Sequence, residues 1–287
     1  MERRKILLQL DTDPQPSVFD SVVAVDAHAD QLFRHGGVTV DNVRSLVHGA
    51  MFTRGPDELH YTAIFIGGSD VVAAEKVFEQ VRGTFFGPMR VSVMFDPNGA
   101  NTTAAAAVLA AAKHVDLSKT TATVLAATGP VGQRAVRLLA RQGATVRVAS
   151  RTVARAQNVV DAVLERVPDA KLIPVATCSD DQTAAAVDGA EVVIAAGAAG
   201  VTLIHETTLL AASSIRVAID LNAVPPAGIG GVSVMDKAKQ LGNVLVYGAI
   251  GVGGTKMKIH KAAVRMLFEA NNRVFDAEEL FELGRSM

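Results

Sequence analysis

Several short stretches of this chain bring together residue types that can do chemistry. Ala127-Thr128-Gly129-Pro130-Val131-Gly132 carries small residues in the spacing A-x-G-x-x-G. That spacing makes a tight turn whose free N–H groups can hold a pyrophosphate at a helix N-terminus. A side chain at Gly129 would block the phosphate, and Gly132 lets the helix pack close on the strand. Ala127 stands where the usual fingerprint has its first glycine. Thr128, Pro130 and Val131 complete the phosphate turn. About 20 residues past the glycines an NAD site usually carries a carboxylate. This chain has Ser150-Arg151-Thr152 instead. Arg151 can pair with a 2′-phosphate, and Ser150 and Thr152 can donate hydrogen bonds to it. The pattern therefore predicts NADP, with NAD the weaker alternative; the competing reading of Thr152 is a helix cap. Ala196-Gly197-Ala198, and Asn222 after Asp220-Leu221, are further candidate cofactor contacts at strand ends.

A second set is polar and acidic. Ser17, Phe19 and Asp20 follow Asp11-Thr12-Asp13, and Asp96, Asn98 and Thr102 sit in DPNGANTT. Both groups fall just past an expected strand, where open α/β sheets bind ligands. The competing reading of Asp20 is a helix-dipole partner. Lys256 follows Gly248–Gly254, GAIGVGG, expected as a glycine loop. No Cys/His cluster has metal-ligand spacing, so no metal is expected, and His260 reads as structural.

The elements that must carry these residues follow from periodicity. Ala122–Ala127 reads as a buried parallel strand and Thr145–Ala149 as its βαβ partner. The helix between them puts Val131, Ala135, Leu138 and Leu139 on one face, and Gln133, Arg134, Arg137 and Arg141 on a polar one. Gly143 ends it. Before this unit, strands are expected at Lys5–Leu10, Thr62–Ile66 and Arg90–Phe95. Helices are expected from Ser17 to about Ala29, over Val40–Val47, Asp70–Phe85 and Ala104–Lys113, with a loop around His35-Gly36-Gly37. After it, strands are expected at Lys171–Val175, Glu191–Ala196, Ile215–Ile219 and, last, Val244–Tyr247. Helices are expected to about Arg166, to about Glu269 and over Phe275–Leu283.

The chain has 287 residues, 49% hydrophobic, with a net charge of −1. That is enough for two domains, and it gives no basic excess for nucleic acid or an anionic membrane. Cys178 is the only cysteine, so no intramolecular disulfide forms and a cytoplasmic setting is expected. No apolar run reaches membrane-spanning length.

DTDPQPSVFD at 11–20, FFGPMRVSVMFDPNGANTTAAA at 85–106, ATGPVG at 127–132, DLNAVPPAGIGG at 220–231, GAIGVGGTKMKIH at 248–260 and VFDAEE at 274–279 carry a resemblance over essentially the whole length. The chain resembles the bacterial NAD(P)-dependent methylene-tetrahydromethanopterin dehydrogenases, whose members carry glycine at the position of Ala127. The resemblance implies an α/β fold of two domains with the active site in the cleft between them. A catalytic, pterin-binding domain would comprise residues 1–112 and 255–287, and a Rossmann-type NADP-binding domain residues 113–254. The implied reaction is hydride transfer from N5,N10-methylene-tetrahydromethanopterin to NADP in one-carbon metabolism. Lys256, Asp20 and Asp96 would be the catalytic residues, Lys256 orienting a pterin oxygen. Ser17, Phe19, Asn98 and Thr102 would bind substrate, and a homo-oligomer is implied. Methylene-tetrahydrofolate is the alternative carrier; a non-catalytic NADP-sensing module is the alternative of another class.

Overall fold

The computed structural model describes residues 3–287. By compactness the chain divides into one unit of the residues up to Thr102 together with Met257–Met287, and a second of Thr103–Lys256. The boundaries fall inside two helices.

The first unit begins with β1 (Ile6–Asp11), α1 (Val18–Asp26), β2 (Gln31–His35), α2 (Val43–Phe52), β3 (Thr62–Gly67), α3 (Val71–Thr84) and β4 (Ser92–Phe95). A short turn, Pro97–Gly99, leads into α4 (Ala100–Ala112). The chain returns to this unit at its end, so β4 also pairs with a strand from the C-terminus. In the second unit run β5 (Thr121–Leu125), α5 (Pro130–Arg141), β6 (Thr145–Ser150), α6 (Val153–Leu164), β7 (Lys171–Ala176), α7 (Asp180–Val187), β8 (Val192–Ala195), α8 (Glu206–Ala211), β9 (Val217–Asp220), β10 (Lys237–Leu241) and β11 (Val244–Tyr247). Then come α9 (Ala249–Met266), β12 (Val274–Phe275) and α10 (Ala277–Arg285).

The first sheet has the order β12-β4-β3-β1-β2, and every pairing is parallel. β3 is buried along its whole length, as a central parallel strand covered on both faces should be. Leu10, Ile64, Ile66, Val93 and Phe95 meet Val47 of α2 and Val77 and Val81 of α3 in one apolar cluster. Asp11 pairs in register with Gly67, and Ile66 with Phe95, so the strand ends that carry the acidic motifs lie side by side.

The second sheet has the order β10-β11-β9-β8-β5-β6-β7, parallel except for the antiparallel β10–β11 pair. Leaving β10 aside, this is the doubly wound order, with strand direction of travel reversing between β5 and β8. The turn after β5 stands at that switch point.

Several expectations need correction. Gln31–His35 is an edge strand where a loop was expected to begin; its mostly exposed pattern hides it from hydrophobic periodicity. β10, α8 and β12 were also not anticipated. The Gly248–Gly254 stretch is mostly helix, because α9 starts at Ala249. A Cβ on Gly251 would lie 1.8 Å from the Asp236 carbonyl oxygen, so this glycine serves a close helix–loop approach. Arg134 and Arg137 are 4% and 8% exposed, not on a solvated face. α5 is enclosed on that side too, its residues from Arg134 to Ala140 all being buried. Among the described residues no helix is long and apolar enough to cross a membrane.

Candidate functional site

The phosphate turn follows β5 and leads directly into α5. Its left-handed residue, which the sequence reading did not place, is Ala126, at φ 53°. Ala127 is fully buried and its N–H donates to the Ala149 carbonyl at 2.9 Å, so a methyl group there meets no backbone strain. Gly129 caps α5 with no side-chain bond, and Pro130 occupies the first turn, where its missing N–H costs nothing. The N–H groups of Val131 and Gly132 lie in the first turn, where a helix offers donors outward. A Cβ on Gly129 would have only the Ala196 and Ala126 carbonyls nearby, at 3.7 and 3.8 Å, which leaves space for a ligand. A Cβ on Gly132 would fall 2.8 Å from the Ala127 Cα, so this glycine is needed for helix–strand contact. The Thr128 carbonyl accepts from Gln133 Nε2 at 2.8 Å and closes the turn.

At the end of β6, Ser150 is buried and its carbonyl accepts from the Thr177 N–H at 2.8 Å. Thr152 Oγ1 accepts from the Arg155 N–H at 3.4 Å, so its hydroxyl caps α6. Arg151 is exposed and forms no ion pair among the described residues. A free guanidinium just past the second strand of a doubly wound sheet fits a 2′-phosphate. After β8, the Ala196 N–H donates to the Leu125 carbonyl at 3.1 Å. Gly197 is held against Leu203, whose Cδ1 would lie 2.8 Å from an added Cβ, and Ala198 is exposed. Asn222, expected as a cofactor contact, turns its side chain to its own loop. Its Nδ2 donates to Pro226 at 2.9 Å and its Oδ1 accepts from the Val224 N–H at 3.0 Å, so both ends of the amide fold the loop itself.

Asp220, at the end of β9, organises that loop. Its carboxylate accepts N–H groups of Asn222 at 3.0 Å and Ile229 at 3.1 Å. Burial raises its pKa from the ordinary carboxylate value, against the lowering effect of hydrogen bonds from Asn222, Ile229 and Gly228. The only sequence signal of this role was a carboxylate at a strand end, followed by Pro and Gly.

In the first unit, the strand ends hold two carboxylates in structural duty. Asp11 accepts the N–H groups of Asp13 at 2.9 Å and Ser17 at 3.1 Å and fixes the loop into α1. Ser17 caps α1, its Oγ accepting from the Asp20 N–H at 3.2 Å. Gln9 braces the same cap, its Nε2 donating to the Ser17 carbonyl at 3.1 Å. Asp20 is 8% exposed in the first turn of α1, and Phe19 beside it is 50% exposed.

Asp96 is 0% exposed. Its Oδ1 accepts the N–H groups of Asn101 and Thr102 at 2.9 and 3.0 Å, and its Oδ2 accepts the Thr102 hydroxyl at 2.6 Å. Asp96 and Thr102 were expected to touch substrate; both are buried and bonded to each other at the start of α4. Asn98 is different. It is exposed, sits at φ 52°, and its side chain makes no hydrogen bond with another described residue. Lys256 is half-buried within α9, not on a glycine loop.

The family description "Methylene-tetrahydromethanopterin dehydrogenase, N-terminal" matches residues 18–98. "Bifunctional protein MdtA" of Methylorubrum extorquens is 46% identical over 286 residues, covering 99% of each chain. The chain belongs to the methylene-tetrahydromethanopterin dehydrogenase family. A second family relative from the same organism, "NAD(P)-dependent methylenetetrahydromethanopterin dehydrogenase", is 31% identical and covers 98% of each chain. Among solved structures, quinate dehydrogenase from Corynebacterium glutamicum aligns with TM-score 0.54 at 14% identity, over 99% of this chain and 100% of that one. Shikimate 5-dehydrogenase from Listeria monocytogenes aligns with TM-score 0.53 at 14% identity, over 98% and 96%. At such identities these two likenesses speak to the fold alone, which this dehydrogenase family shares with them.

Proposed function

We propose that the protein oxidises N5,N10-methylene-tetrahydromethanopterin to the methenyl form with NADP, by direct hydride transfer. The observation that carries this reading is near-full-length kinship with a chain named as an NAD(P)-dependent methylenetetrahydromethanopterin dehydrogenase. Bound NADP would supply the hydride acceptor. The N–H groups of Val131 and Gly132 would hold its pyrophosphate, and Arg151 its 2′-phosphate. Thr128, Gly129, Pro130 and Ala196–Ala198 would form walls, and Ser150 and Thr152 would set the position of Arg151 from behind.

The chemistry asks little acid–base work of the protein, because two nitrogens flank the reacting carbon and stabilise the cation. The protein's task is to orient substrate and exclude water. Phe19 would pack on the pterin ring, Asn98 would hydrogen-bond its donor-rich edge, and Asp20 would favour the developing positive charge. Lys256 would orient a pterin oxygen. Ser17, Asp96 and Thr102 would hold these groups in place rather than touch the substrate. A cytoplasmic location accords with the one free cysteine, Cys178, and a homo-oligomer with exposed Val18, Val22 and Val25 along α1.

The test is to offer methylene-tetrahydromethanopterin or methylene-tetrahydrofolate with NADP or NAD and follow reduced nicotinamide by absorbance. Turnover is expected fastest with the methanopterin carrier and NADP. Turnover only with the folate carrier would reassign the substrate, and none with either, in protein that binds NADP, would leave a sensing module.

A further inference from the structure

We infer that His260 is a positioning residue for the substrate side of this site, acting through Asp96 on the turn that carries Asn98. The inference rests on the functional reading above.

His260 is 1% exposed and its ring stacks on Phe65, with centroids 5.5 Å apart and planes at 16°. Its Nδ1 lies 3.6 Å from Asp96 Oδ2. Phe65 belongs to β3 and Asp96 follows β4, so this one side chain ties α9 to two adjacent strand ends. A carboxylate buried this deeply persists only where polar groups surround it. The N–H groups of Asn101 and Thr102 and the Thr102 hydroxyl bond to that carboxylate, and the His260 ring packs beside it with Nδ1 at 3.6 Å, beyond hydrogen-bond reach.

The turn just past Asp96 needs such an anchor. Asn98 and Gly99 are consecutive left-handed residues, at φ 52° and 61°. Asparagine tolerates that region better than most residues, yet a strained turn lasts only where its surroundings over-determine it. Asp96 fixes the turn at both ends. Its N–H donates to the Ile66 carbonyl at 3.2 Å, its own carbonyl accepts from the Gly99 N–H at 3.0 Å, and its carboxylate caps α4 beyond. The product of this arrangement is one exposed amide, Asn98, on a backbone held in the left-handed region. His260 completes the anchor without itself reaching solvent.

The prediction separates this role from general support of the fold. His260→Leu is expected to raise KM for methylene-tetrahydromethanopterin about tenfold, while the NADP dissociation constant stays within about twofold. His260→Asn, whose amide can stand near the place of Nδ1, should restore most of the loss. Thr102→Val, which removes the hydroxyl donor to Asp96, should give the same KM signature, and it serves if circular dichroism shows that His260→Leu does not fold. The decisive measurement is made in an Asn98→Gly background, which keeps the turn and removes the amide. There, His260→Leu or Thr102→Val should change KM by less than about twofold, since both act through the missing group. An equal effect in both backgrounds, or failure of His260→Asn to restore KM, would overturn the inference alone. Absence of wild-type turnover would overturn the functional reading, and this inference with it.

Discussion

At the scale of single residues, the structure divides the polar positions of the motifs into those that brace and those left open. Asp11, Asp96, Asp220 and Asn222 spend their oxygens or amides on backbone N–H groups and carbonyls nearby. Arg151 and Asn98 are exposed. Sequence reasoning singled out Asp96, Asn98, Arg151 and Asn222, placed Asp11 near a strand end and passed over Asp220, because a carboxylate at a strand end looks the same whether it faces a ligand or the following loop. Arg151 gives the sharpest prediction. A hydrogen bond to a charged group contributes roughly 1.5–3 kcal/mol, so Arg151→Ala should weaken NADP by about ten- to a hundredfold. NAD lacks the 2′-phosphate and should change far less. Titration of both nucleotides checks this; an unchanged NADP-to-NAD ratio would mean another group reads the phosphate. Asp220 predicts a pH effect. Its folded pKa is raised above the ordinary 3.8, so its stability contribution is full below that value and is lost as pH rises through the folded pKa. The stability of the wild type relative to Asp220→Asn, from urea unfolding across the carboxylate range, should therefore fall with rising pH. A difference that grows with pH would reverse the assigned sign.

Among the elements, the long apolar ones were legible and the polar or very short ones were not. β1, β3, β5, β8 and β9 are buried through nearly all of their length and announce themselves by composition. β2 and β10 lie at sheet edges with mostly exposed side chains, and β12 has two residues, so no periodic signal exists to find. The glycines of α9 misled for a different reason: Gly251 answers a tertiary contact with the Asp236 loop, which no local pattern encodes, while a Cβ on Gly253 or Gly254 would meet nothing within 4 Å. The phosphate turn was legible in type, but its left-handed residue, Ala126, was not. A left-handed residue other than glycine costs roughly 1–2 kcal/mol, and the entropy of an added glycine gives back roughly 0.5–1 kcal/mol. Ala126→Gly should thus stabilise the protein, by up to about 1 kcal/mol. Thermal unfolding with and without NADP tests it; destabilisation would mean that the alanine methyl makes compensating contacts in the turn.

At the scale of the molecule, the described residues form one five-stranded and one seven-stranded sheet, and the C-terminal segment returns to complete the first. The doubly wound order was readable in outline, since the fingerprint and the alternating strands and helices pointed the same way. That β12 pairs with β4 was not, because a two-residue strand becomes one only beside its partner. The proposed activity makes a demand on the whole chain: a substrate carbon and a nicotinamide ring must meet closely enough for hydrogen to pass directly, without exchange with water. Turnover of methylene-tetrahydromethanopterin labelled with deuterium on its methylene bridge, followed by mass analysis of the reduced NADP, tests that demand most directly. Deuterium should appear at nicotinamide C4 from the first turnover in unlabelled water. Reduced NADP free of deuterium, formed from fully labelled substrate, would contradict direct hydride transfer.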